Sequence, residues 1–102
     1  MNLTLDETLQ KGFEALESGE WQEADKFYTA ILKALPKHPD ANHNMGVLAA
    51  TVGKNHEALP HFKMALDVKP NVPRFWLSYI HGLINLNQIN EYNSTRIVEH
   101  LV

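Results

Sequence analysis

The sequence predicts an all-α fold of stacked antiparallel helical hairpins. Three observations carry that expectation: a 34-residue internal repeat, apolar residues spaced three and four apart, and glycines and prolines at matching places in each copy. Sliding the chain by 34 residues places Gly12 on Gly46, Ala15 on Ala49, Gly19 on Gly53, and Glu23-Ala24 on Glu57-Ala58. It also places Tyr28 on Phe62, Leu32 on Leu66 and Pro36 on Pro70. Two copies therefore cover residues 5–38 and 39–72, and a third, divergent one covers 73–102, all within a single domain spanning 1–102.

The first helix is expected to begin at Thr4, where Thr4-Leu5-Asp6-Glu7 has the form of a capping box. Leu5, Leu9, Gly12, Phe13 and Leu16 then recur at helical spacing, and Gly19 ends the helix, since glycine adopts positive φ without a Cβ penalty. The second helix is expected over about residues 20–35, with Trp21, Ala24, Phe27, Tyr28, Ile31 and Leu32 inward. Pro36 stops it, and Pro39 suits the first turn of the next helix; Pro70 and Pro73 repeat that punctuation. Gly12, Gly46, Ala24 and Ala58 are small enough for close helix crossings, and Tyr28 and Phe62 are expected to fill the gap to the following hairpin. Pro60 falls inside the second helix of the second copy, which predicts a short or bent start there. In the third copy Trp76, Leu83, Asn87 and Glu91 keep helical offsets, with Asn87 in the turn position of Gly19 and Gly53. Ile80 replaces the inner glycine, Tyr92 the alanine, Arg96 the aromatic residue and Glu99 the next apolar one.

Composition narrows the function classes. The chain has 102 residues, 44% of them apolar, enough for one core, and no cysteine, which excludes disulfides and thiolate metal sites. Residues 2–7 show neither a basic start nor an apolar run, so no secretory signal and no membrane span are expected and the expected location is cytoplasmic. Residues 1–25 carry seven acids against one base, whereas residues 26–102 carry eight bases against five acids. The bases are dispersed, so nucleic acid is not an expected partner.

Nor do the residues suggest a reaction or a cofactor. His56 and His61 are five apart and do not share a helix face, and His43 and His81 sit in different copies without a third ligand, so no metal site is expected. Ser18, Ser78 and Ser94 lie in no nucleophile elbow, and no glycine-rich phosphate loop occurs. The protein is not expected to be an enzyme. Phe75, Trp76 and Tyr79 form an aromatic cluster, some packing on the second hairpin and one available as a partner anchor. The run Arg96-Ile97-Val98-Glu99-His100-Leu101-Val102 ends on apolar residues. It is expected either to meet a further repeat of a longer protein or to self-associate, giving a homo-oligomer through the C-terminal helix.

The small residue, aromatic residue and terminal proline at these offsets resemble the tetratricopeptide repeat over residues 5–72, and in part over 73–91. Asn42-His43-Asn44-Met45-Gly46-Val47-Leu48 is similar to repeats attached to O-linked N-acetylglucosamine transferases and related bacterial transferases, which would make this an N-terminal transferase module. The resemblance implies a right-handed superhelix whose first helices line a groove for a peptide or protein. By position the groove residues would be Gln10, Phe13, Glu17, His43, Asn44, Val47, Thr51, Arg74, Leu77, Ser78, His81 and Asn85. Only Asn44 and Arg74 match the carboxylate clamp of some members, and Leu9 and Phe13 stand where its Lys and Asn belong, so that mode is not expected. Gln10, Asn44 and Ser78 instead form a polar ladder able to hydrogen-bond a peptide backbone.

Overall fold

Among the described residues five helices follow one another: α1 (Leu5–Glu17), α2 (Trp21–Ala34), α3 (Pro39–Thr51), α4 (Asn55–Val68) and α5 (Pro73–Leu101). The computed structural model describes the backbone of residues 2–101 and the side chains of residues 2–87, so the side chains of the 96–102 run lie outside the described residues. No strand occurs among the described residues. Shifting the bounds of α1 and α2 by 34 residues gives those of α3 and α4, and α5 begins 34 residues after α3. The period in residue types is therefore a period in backbone conformation.

Local chemistry explains each boundary. At the start of α1 the Glu7 amide donates to Thr4 Oγ1 and the Thr4 amide donates to a Glu7 carboxylate oxygen, both at 3.1 Å. Those bonds, that from the Thr4 backbone foremost, hold the Glu7 carboxyl below its ordinary pKa. The matching position before α3 is His38, which caps by a different group: its Nδ1 accepts the Ala41 amide at 3.1 Å, and Pro39 occupies the first turn. Both hairpins turn on a left-handed glycine, Gly19 at φ 74° and Gly53 at φ 86°. The Glu20 and Lys54 amides then reach back to the Ala15 and Ala49 carbonyls at 2.9 and 2.8 Å, which satisfies groups the helix ends would leave open.

Packing within each hairpin rests on one recurring contact. A Cβ added to Gly12 would lie 2.8 Å from Cε1 of Tyr28, and one added to Gly46 would lie 2.5 Å from Cε1 of Phe62. The glycine thus forms the flat floor on which the aromatic ring of its own second helix lies. The same rings also reach forward, as expected. Tyr28 joins Ala15, Ala24 and Ile31 to Ala41 and Leu48 of α3, and the far edge of Phe62 faces Gly82 of α5, 3.5 Å from a Cβ built there. Tyr28 and Phe62 are 0% and 3% exposed, so Tyr28 is a shared wall between the two hairpins and Phe62 one between the second hairpin and α5.

Three expectations change. Trp21 is exposed, because its place at the start of α2 lies beyond the crossing that buries Ala24 and Tyr28. The start of α4 is not shortened: Pro60 is exposed, and the helix keeps the fourteen residues of α2, as the carbonyl that loses its amide partner belongs to exposed His56. The third copy makes no hairpin. α5 passes through Asn87 in helical conformation, and no described residue other than glycine has positive φ. Where Gly46 receives an aromatic ring, the third copy has Ile80, so the contact that folds a second helix back is missing.

Two substitutions separate the glycines by role. Gly12→Ala is expected to destabilise by about 1–3 kcal/mol, as its methyl overlaps the fully buried Tyr28 ring. Gly82→Ala meets only ordinary contact and gains helix propensity, so stability should rise by about 0.5–1 kcal/mol. Thermal melts should move in opposite directions, by roughly 4–8 °C per kcal/mol.

Candidate functional site

The first helices of the copies touch in succession, α1 on α3 and α3 on α5, whereas α2 and α4 make no contact. The stack is therefore closed on the first-helix side and open on the other. On the closed side, Asp6, Leu9, Gln10 and Phe13 of α1, Asp40 and Asn44 of α3, and Arg74 of α5 surround a recess of about 370 Å³.

Two ladders of period 34 build this recess. Asp6, Asp40 and Arg74 occupy one repeat position, at the second residue of each first helix; Gln10 and Asn44 occupy the position one turn later. Arg74 Nη2 donates to Asp40 Oδ1 at 2.7 Å, and its guanidinium lies 5.2 Å from the Phe75 ring centre, which fixes its direction. With that pair neutral, the Asp6 carboxylate leaves the recess net negative. Phe13, 43% exposed, and half-buried Leu9 supply an apolar wall beside the amides of Gln10 and Asn44. Gln10 Nε2 donates to Glu14 Oε1 at 3.2 Å, which leaves its carbonyl oxygen available as an acceptor.

Of the twelve groove positions expected from the sequence, Gln10, Phe13, Asn44 and Arg74 come together here. Glu17, Thr51, Leu77, His81 and Asn85 are exposed but do not line the recess. Thr51 is turned onto its own helix, donating to the Val47 carbonyl at 2.7 Å, and half-buried Val47 packs on the cluster of Ala49, Ala58 and Phe62. Asp6, Leu9 and Asp40 were missed, although the 34-residue shift from Arg74 points to both aspartates.

His43 belongs to the interior and not to the groove surface. It is 8% exposed, with its ring 5.8 Å from that of Phe62 and 4.9 Å from that of Phe75. Its Nδ1 is 3.2 Å from Asn44 Oδ1 and its Nε2 is 2.8 Å from Ser78 Oγ. Burial first of all pushes its pKa down, so the ring is neutral: Nδ1–H donates to Asn44 and Nε2 accepts the Ser78 hydroxyl. The pair joins α3 to α5, takes Ser78 out of the expected ladder, and anchors Asn44 from behind. Tyr28 Oη is buried beside Asn44 without a hydrogen bond of good geometry, and burial pushes its phenol up to about 12.

A second buried polar group lies deeper. Asn42, 4% exposed, donates through Nδ2 to the carbonyls of Pro36 and His38 at 3.0 and 2.9 Å, and His61 Nδ1–H donates to its Oδ1 at 3.1 Å. This fixes the loop between the hairpins to both α3 and α4. Nothing in the repeat pattern signals it, because Asn42 aligns with Thr8 and Trp76. Among the described residues no three His, Asp or Glu side chains gather as metal ligands, and no helix is long and apolar enough to cross a membrane. No protein-family model matches this chain, and no curated protein matches it.

The two buried imidazoles predict a pH dependence. His43 and His61 both have folded pKa values below the ordinary 6.5, burial being the main cause. The unfolded chain therefore binds protons more readily, and the stability these rings contribute is complete above pH 6.5 and is lost as pH falls below it. Denaturant titrations from about pH 7.5 to about pH 5.5 should show falling stability. His43→Gln should flatten that slope, and an unchanged slope would contradict the neutral-ring assignment.

Proposed function

We propose that this protein is a binding scaffold for an extended segment of another protein or peptide, held on the layer formed by α1, α3 and α5. The observation that carries the reading is the convergence of Gln10 and Asn44, one repeat apart, on a recess walled by Phe13 and Leu9. Amide side chains offer both a donor and an acceptor, so a row of them suits a peptide backbone whatever its sequence. Phe13 gives an apolar side chain somewhere to rest, and neighbouring Asp6, with Asp40 already paired to Arg74, favours a cationic flank.

A tetratricopeptide-type array is the architecture that best fits this reading. Its hairpins would wind into a right-handed superhelix with the recess as the start of the concave groove, which the close succession of α1, α3 and α5 supports. The scaffold reading assigns no reaction: the recess is open, and no nucleophile stands beside a base within it.

The test begins with selection of binders from a random displayed peptide library, followed by titration of wild type, Asn44→Ala and Phe13→Ala. Loss of the Asn44 amide should weaken binding by roughly 2–10-fold, the value of one or two neutral hydrogen bonds. Far-ultraviolet circular dichroism should stay unchanged. Selected peptides that bind all three proteins equally would place their site elsewhere and remove this reading.

A further inference from the structure

We propose that the apolar outer face of α5 docks on the same face of a second copy of this chain, as an antiparallel pair related by a two-fold axis through Ile80. The inference is independent of the recess, since Arg74, through which α5 lines it, lies on another flank of the helix.

The repeat shows what this face lacks. Gly46 and Ala49 of α3 are buried under α4, yet Ile80 and Leu83, 34 residues on, are 46% and 45% exposed. His43 is buried against α5, yet Leu77, 34 residues on, is 56% exposed. Trp76 and Ile84 complete the face at 47% each. Because α5 is one helix from Pro73 to Leu101, no described segment returns to cover it. Trp76 is also held in place, its Nε1–H donating to the Pro70 carbonyl at 2.6 Å, so the face is preorganised.

Three properties select a second copy as the occupant. The first is symmetry: Trp76, Leu77, Leu83 and Ile84 stand at four and three residues on either side of Ile80. An antiparallel copy centred on Ile80 sets Trp76 against Ile84 and Leu77 against Leu83, the self-complementary arrangement an isologous interface requires. The second is charge. Between Pro73 and Asn87 the only Lys, Arg, Asp or Glu is Arg74, already paired with Asp40, so two like faces meet without repulsion and a charged partner finds nothing complementary. The third is size. Five half-exposed side chains of this kind leave roughly 400–500 Å² of apolar surface per copy. Two such faces with their polar rims approach the lower limit of about 1,200 Å² for a specific dimer. The large residues matter too: Ile80 and Leu83 stand where Gly46 and Ala49 allow a tight crossing, and they suit the wider spacing of two helices meeting through side chains.

Sedimentation of the wild-type protein between roughly 5 µM and 1 mM tests the proposal, a range suited to an interface of this size. A monomer passing to a dimer is expected, and Ile80→Asp should raise the dissociation constant at least about tenfold by placing a charge at the axis. The chain has no cysteine, so single substitutions report geometry directly and do not depend on the Asp variant folding. Ile80→Cys should oxidise to a disulfide-linked dimer far faster than the exposed control Glu23→Cys. A monomer at every concentration, higher oligomers, or equal cross-linking at the two positions would overturn the proposal.

Discussion

Each hairpin depends on an aromatic ring lying flat on a glycine. The clearance between Gly12 and Tyr28, and between Gly46 and Phe62, is too small for even one methyl group. That contact sets how close the paired helices sit and turns one edge of each ring toward the next first helix. A dense interior has few ways of absorbing a misfit at such a point. The same contact therefore binds a hairpin together and passes its position on to its neighbour. Where the glycine is replaced, at Ile80, the chain does not fold back and α5 continues.

The recess follows from this geometry at one remove. Ring-on-glycine packing brings successive first helices into contact, so side chains 34 residues apart become neighbours. Asp40 thus meets Arg74, and Gln10 shares a recess with Asn44. His43 then acts between layers: its ring lies near Phe62 and Phe75, while its nitrogens hold Asn44 and Ser78. A buried neutral imidazole with both nitrogens engaged costs little and fixes the direction of the amide that faces the recess. The exposed ion pair between Asp40 and Arg74 contributes little to stability and mainly orients the guanidinium.

Much of the fold was legible in the sequence because its devices are local. Thr4 and Glu7 cap within one turn, Gly19 and Gly53 turn within three residues, and Pro39 and Pro73 start helices without help from elsewhere. The unbroken course of α5 was less legible. Asn87 stands in a turn position by register, and its helical state reflects the absent ring-on-glycine contact, which is a tertiary matter. The candidate site divides in the same way. Phe13, Gln10, Asn44 and Arg74 could be placed by period, whereas His43 shares their helix face in outline but is covered by Phe75 and Ser78 from the next copy. Asn42 and His61 were not legible, since their bond joins unlike positions of one repeat.

The most direct test of the central contact is a double-mutant cycle on Gly46 and Phe62. If ring and glycine are complementary, Gly46→Ala should cost far less stability when Phe62→Leu has already removed the ring edge than it does in the wild type. The account predicts a coupling of at least about 1 kcal/mol, well beyond the additivity expected of independent sites. Losses that simply add would show that the close approach of glycine and ring does not govern the packing, and would contradict the account.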